Sequence, residues 1–259
     1  MTYSDILFSV EDQVGKIILN RTGEMNCFNA RMSAEVQDAL INCRNDNTVR
    51  AVYLTGAGRT FSAGQDLKEF LKVGLSASHL VKSQYNPIAL AIRSIEKPVI
   101  CGVNGIAAGA GANIVFCCDI VVAARSAVFV EAFTKIGLVP DSGGTFFLPR
   151  LVGLHRAASM TMLNEPVTAA QALDWGLVYR VYDDDKLQSE GMELAKKLSA
   201  MPTKTIGMTK RLFNSAFSND LNAQLAMEAE LQEFCGNTYD HKEGVKAFLE
   251  KRKPVFRGE

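Results

Sequence analysis

Residues 97–124 read KPVICGVNGIAAGAGANIVFCCDIVVAA. Pro98 biases the residue before it away from helix, and Val99–Val103 behind it is an apolar, β-branched run of strand length. A turn of small residues follows. It leads into a helix expected over Ala110–Cys118, and then into a second strand over Ile120–Ala124. Strand, small-residue turn, helix and strand in one short stretch form the repeating unit of an α/β protein.

The same alternation extends both ways. Ile6–Val10 and Val14–Leu19 are apolar runs around Glu11-Asp12-Gln13, which predicts a hairpin. Asn29 can cap a helix to about Asn45, with Met32, Val36, Ala39, Leu40 and Cys43 on one face. Ala51–Thr55 reads as a strand, and Gly56, Gly58 and Gly64 make the next segment a loop. A helix is expected from about His79 to Ile95, and strands over Val128–Val130 and Val178–Tyr182. Helices Lys186–Ala200, Pro202–Ser215, Asp220–Cys235 and His241–Glu250 then follow with no strand between them. The expectation is an α/β core over residues 1–190 and a helical region over 191–259. The amphipathic helices of that region must pack on the core or on another subunit.

Charge and composition remove several classes of function. Lys plus Arg and Asp plus Glu are both 28, so the basic excess that neutralises phosphates is missing. Nucleic acid and an anionic membrane surface are set aside as partners. No apolar run reaches the roughly 18 residues of a membrane span, and the first residues lack the pattern of a secretory signal. Six cysteines without a C-x-x-C pair read as reduced thiols, so a cytoplasmic location is expected. His79, His155 and His241 are far apart, and no metal site is expected. There is no G-x-S-x-G elbow and no phosphate-binding P-loop. The G-x-G-x-x-G frame fails at Gly56, where Phe61 falls on the third glycine, and at Gly109, where Ile114 does.

Three segments remain as candidates for chemistry. Arg59–Leu67 and Asn104–Asn113 are rich in small residues and follow strands. Such residues let a backbone approach a ligand with its N–H groups exposed, or let a helix pack tightly on a sheet. The second segment opens a helix, whose first amides suit an oxygen that becomes anionic. The third, Ile136–Gly144, holds Asp141 between apolar residues and a glycine pair. Asp141 is either the cap of the next helix or a carboxylate raised in pKa by its neighbours.

Taken together, these motifs resemble the enoyl-CoA hydratase/isomerase (crotonase) family along essentially the whole chain. The resemblance is carried by Asn26–Asn29, Phe61–Asp66, Lys97–Gly105, Gly143-Gly144, Ala170–Val178 and Phe248–Lys253. It implies an α/β fold, a crotonase-like ββα superhelical spiral followed by a C-terminal helical trimerisation region, and a homotrimer or hexamer. It implies an acyl-CoA thioester as substrate, with coenzyme A part of that substrate and no separate cofactor. The amides of Gln65 and Ala110 would hold the thioester oxygen. Arg59, Ser62, Ala63, Asp66 and Leu67 would contact the coenzyme, as would Phe248 and Lys251, often from a neighbouring subunit.

The departures from the family pattern bear on the reaction. Hydratases of the family use two glutamates, and Asn113 and Phe133 stand at those positions. Glu131 lies two residues off that register. The family's aroyl-CoA dehalogenases carry a Trp at position 133 and a His on the helix before the Lys97-Pro98 strand, and here position 133 is Phe and Gln84 to Arg93 has no His. Asp141 matches a position that serves as proton shuttle in an isomerase branch. Gly137–Gly144 resembles the isomerases of that branch that act on ring-epoxidised phenylacetyl-CoA and on 3-enoyl-CoA. The expected activity is therefore isomerisation through an enolate, with hydration or a non-catalytic coenzyme-binding role as alternatives. The segment from Phe70 to Tyr85 is expected to shape the acyl pocket.

Overall fold

Paired short strands, each pair followed by a helix, build two sheets that meet at the candidate site. The structure, a computed structural model, describes residues 3–74 and 76–259. In chain order the strands are β1 (Ile6–Glu11), β2 (Val14–Leu19), β3 (Ala51–Gly56), β4 (Thr60–Ser62), β5 (Val99–Val103), β6 (Ile106–Ala108), β7 (Ile120–Ala124), β8 (Val128–Val130), β9 (Val167–Thr168) and β10 (Arg180–Tyr182). The helices of the core are α1 (Ala30–Asn45), α2 (Leu67–Val73), α3 (Ala77–Leu80), α4 (Asn86–Ser94), α5 (Ala110–Phe116), α6 (Gly144–Val152), α7 (Leu154–Ala158) and α8 (Ala169–Asp174). Helices α9 (Leu187–Ser199), α10 (Thr203–Ser215), α11 (Leu221–Gly236) and α12 (Tyr239–Leu249) complete the chain.

The larger sheet has the order β1-β2-β3-β5-β7-β10 and is parallel apart from the β1–β2 hairpin. The smaller has the order β4-β6-β8-β9, with only β8–β9 antiparallel. The pairs β3/β4, β5/β6 and β7/β8 each give one strand to each sheet, which is the ββα spiral of the expected crotonase-like fold. β3 and β5 are buried along their whole length, as parallel strands covered on both faces must be. One face carries α1 and the main core, with Met32, Val36, Leu54, Phe61 and Cys101. On the other, Met192 and Ala195 of α9 cover Val14, Ala51, Tyr53 and Ile100.

That packing moves the expected division at residue 190, which falls inside α9. Because α9 covers the sheet, it belongs with the core. α10 is also tied down. Lys210 is almost fully buried and donates to Asp119 Oδ2 at 2.7 Å, while Arg93 pairs with Asp119 Oδ1 at 2.8 Å. α11 and α12 instead expose Leu221, Leu225, Phe248 and Leu249.

Two further expectations are revised. Thr60–Ser62 and Ile106–Ala108 are strands where loop and turn were expected, because pairing with each other stabilises segments too short to show strand periodicity. The expected His79–Ile95 helix is instead α3, a widened π-helical turn over Val81–Tyr85, and α4. Such widened turns often occur at functional sites. Among the described residues no helix is long and apolar enough to cross a membrane. All six cysteines are free thiols.

Candidate active site

The small-residue loops after β4 and β6 come together through one glycine. Gly64 has φ +91°, and a Cβ there would lie 2.8 Å from the Ala108 carbonyl oxygen and 3.7 Å from the Ala110 nitrogen. Phe28 N–H donates to Gly64 O at 2.7 Å, and Asp66 N–H donates to Phe28 O at 2.9 Å. This strand-like bridge leaves the Gln65 N–H between them unused. α5 begins at Ala110, so the Ala110 N–H belongs to the first turn, where helices lack internal acceptors. Neither amide donates to an acceptor among the described residues. Two free N–H groups beside each other, at a helix N-terminus, suit an oxygen gaining negative charge.

The side chains of this first loop mostly serve the loop itself. Ser62 is fully buried, and its Oγ donates to Asn26 O at 2.8 Å and accepts from Gly64 N–H at 3.2 Å. Asp66 accepts from Glu69 N–H as the cap of α2 and pairs with Arg21 at 3.0 Å. Burial opposes the Asp66 charge, but these partners outweigh it and hold the carboxyl below its ordinary range. Arg59 and Leu67 are exposed and Ala63 is half-buried. Any contact from Ser62 to a coenzyme would therefore fall to the backbone, while Arg59 is free to reach one. Phe248, 82% exposed, and Lys251 lie on and just beyond α12. No hydrogen bond or ion pair joins either to residues 59–67 among the described residues.

The second half of the site is built from side chains. Asn113, one turn into α5, lies against Gly144, where a Cβ would overlap its carboxamide. Asn113 Nδ2 donates to Asp141 O at 3.1 Å and to Glu131 Oε2 at 3.4 Å. The Asp141 carboxyl does not cap α6: the cap position is Gly143 and no side chain bonds there. Among the described residues the side chain that donates to it is Ser142 Oγ, at 2.7 Å. Burial pushes Asp141 above the ordinary carboxylate range, with the Ser142 hydroxyl pulling the other way. Of the two roles open in the sequence, the cap is removed.

Three more residues close the site. Phe133 is buried, and its ring edge would lie 3.8 Å from a Cβ on Gly109, over the start of α5. Tyr85, from the widened turn, is fully buried with its hydroxyl unpartnered. Burial and then Asp141 raise its pKa. Glu131 is fully buried, and burial pushes it up to about 8, against the Asn113 hydrogen bond, which pulls it down, and with the nearby Asp141 adding to the rise. Each acid is followed by a non-glycine residue in the left-handed region, Ala132 at φ +43° and Ser142 at φ +52°. Such strain gathers at functional sites.

Glu131 was visible in the sequence only as a residue off the family register, and nothing in the sequence marked Tyr85 beyond its place in the expected acyl-pocket segment. That segment contributes Phe70, Leu80 and Gln84 to a pocket of about 30 Å³ beside Gln65. Leu75 of the same segment lies outside the described residues.

Comparison with known proteins identifies the family. The enoyl-CoA hydratase/isomerase family model matches residues 9–259. The 1,2-epoxyphenylacetyl-CoA isomerase of Escherichia coli K12 is 44% identical, with 98% of each chain covered. A protein of Rhodobacter capsulatus named "Probable enoyl-CoA hydratase" is 42% identical over the full length of both. The crystal structure of an enoyl-CoA hydratase from Bacillus anthracis superposes with a TM-score of 0.91 at 32% identity, covering 99% of this chain and all of that one.

Proposed function

The chain belongs to the enoyl-CoA hydratase/isomerase family, and from that premise we propose that it is an acyl-CoA isomerase working through a thioester enolate. The Asp141 carboxylate takes a proton from C2 of the acyl group. The C–H electron pair forms the C1–C2 double bond of the enolate, and charge moves to the thioester oxygen. The Gln65 and Ala110 amides stabilise that charge. Asp141 returns the proton to C4 as the 3,4 double bond shifts to 2,3. One base suffices, because both proton transfers occur on one face. A ring-epoxidised arylacetyl-CoA would form the same enolate, whose collapse rearranges the ring. The exposed residues of α11 and α12, with Phe248 and Lys251, are read as a homotrimer contact that reaches a neighbouring subunit's coenzyme.

One observation carries the reading. The carboxyl of Asp141 is desolvated and free of cap duty, while Asn113 and Phe133 occupy the positions where the family's hydratases carry glutamates. General-base catalysis contributes about 10²–10⁴-fold, so Asp141→Asn should lose turnover of a 3-enoyl-CoA by that factor. Near-parent turnover in a folded variant would end the assignment. The name of the Rhodobacter relative favours a second reading, hydration of a 2-enoyl-CoA. Loss of the conjugated thioester absorbance of crotonyl-CoA on incubation with the protein would support it.

A further inference from the structure

Glu131 and Asn113 are in contact through one hydrogen bond, from Asn113 Nδ2 to Glu131 Oε2 at 3.4 Å. The remaining oxygen of each, Glu131 Oε1 and Asn113 Oδ1, is buried and has no partner. Both are acceptors if Glu131 is ionised, so two lone-pair groups would sit unsatisfied at one buried spot, each at the cost of its desolvation. A single proton on Oε1 changes the count. Oε1–H can then donate to Asn113 Oδ1 while Nδ2–H donates to Oε2, the two-bond ring of a carboxylic acid paired with an amide. The second N–H of Asn113 still reaches the Asp141 carbonyl at 3.1 Å.

We infer that Glu131 is a proton-bearing positioning residue, locked to Asn113 as a buried acid–amide pair that holds the Asp141 loop in its working place. The consequence for catalysis rests on the isomerase reading above. The pair itself is read from the protein alone. Asn113 reaches Glu131 from α5, and Asp141 reaches it from the loop before α6. Among the described residues Asp141 is the one ionisable side chain that acts on it, and no cation there offsets its charge. Losing the proton would place an anion beside the catalytic carboxylate and turn Asn113 Oδ1 against it. The amide must then rotate, and the clamp on Asp141 loosens.

Three forms test this: the parent, Glu131→Gln and Glu131→Ala. Gln keeps both bonds of the ring without a titrating proton, whereas Ala removes them. With a 3-enoyl-CoA, parent kcat should fall about tenfold per pH unit above about 8. Glu131→Gln should lack that alkaline fall and recover most of the turnover that Glu131→Ala loses at pH 7. An alkaline limb retained in Glu131→Gln, or a loss in Gln equal to that in Ala, would overturn the proposal.

Thermal unfolding without substrate gives an independent readout. The folded protein keeps a proton that the unfolded chain releases near pH 4.5. Parent stability should therefore fall relative to Glu131→Gln as pH rises from about 5 to 8, and level off above. Parallel Tm curves for the two proteins would refute the pair. A diverging Tm with full turnover in Asp141→Asn would leave the pair standing and remove the isomerase reading.

Discussion

The two loops that meet at the start of α5 are built on opposite principles. On the proposed reading the backbone is the working part around Gly64, and the side chains of Ser62 and Asp66 are tied into hydrogen bonds that hold it still. On the same reading the side chains are the working part around Asp141. They are buried, raised in pKa or left with unpartnered atoms, while the backbone is held by Asn113 and Gly144. A site that stabilises developing charge needs fixed dipoles. A site that moves a proton needs a carboxyl whose affinity for it has been lifted by desolvation. The molecule separates the two tasks by segment.

Substitutions can sharpen that contrast. Of three substitutions away from Asp141 itself, Gly64→Ala should be the most damaging to chemistry, since its Cβ meets the Ala108 carbonyl at φ +91° and displaces the Gln65 amide. Losing one such donor costs about 10²–10³ in kcat, read in steady-state assays with unchanged substrate. Gly144→Ala should act through Asn113, lowering kcat about tenfold or more by pushing the Asn113 amide off the Asp141 carbonyl and leaving that carbonyl only the backbone N–H of residue 144, within the about 10²–10⁴ that a general base supplies. Equal pH profiles for the two variants would break the contrast, because only the second disturbs the acid side. Ser62→Ala should show mainly in denaturant unfolding, losing about 1–3 kcal/mol as Gly64 N–H and Asn26 O lose a buried partner. The smallest effect is the position of the acid limb. Since burial raises Asp141, kcat/KM should start to fall with decreasing pH above the roughly 4 of an ordinary aspartate.

The same contrast explains what could be read before the fold was known. Asn29 as a cap is local, and its side chain accepts from Met32 N–H at 2.7 Å as expected. β5, β7 and all four terminal helices follow from their apolar patterns and end within a few residues of expectation, and β8 shows as an all-apolar Val-Phe-Val. Small residues at 63–64 and 107–112 mark close approach in the sequence itself. β4, β6 and β9 were not legible, because two or three residues carry no period and exist only through their partners. The part played by Glu131 was hidden for a related reason. Its meaning depends on Asn113, 18 residues away, and on burial that no local pattern reports. Asp141 left cap and base both open until the N-terminus of α6 showed no side-chain bond.

Proton exchange at C2 of a saturated acyl-CoA in deuterated water, followed by NMR, isolates enolate formation from every later step. The parent protein should exchange the C2 hydrogens, and folded Asp141→Asn should slow that exchange about 10²–10⁴-fold. Exchange at parent rate in Asp141→Asn, or none in the parent, would contradict a single carboxylate drawing the proton against an enolate held by backbone amides.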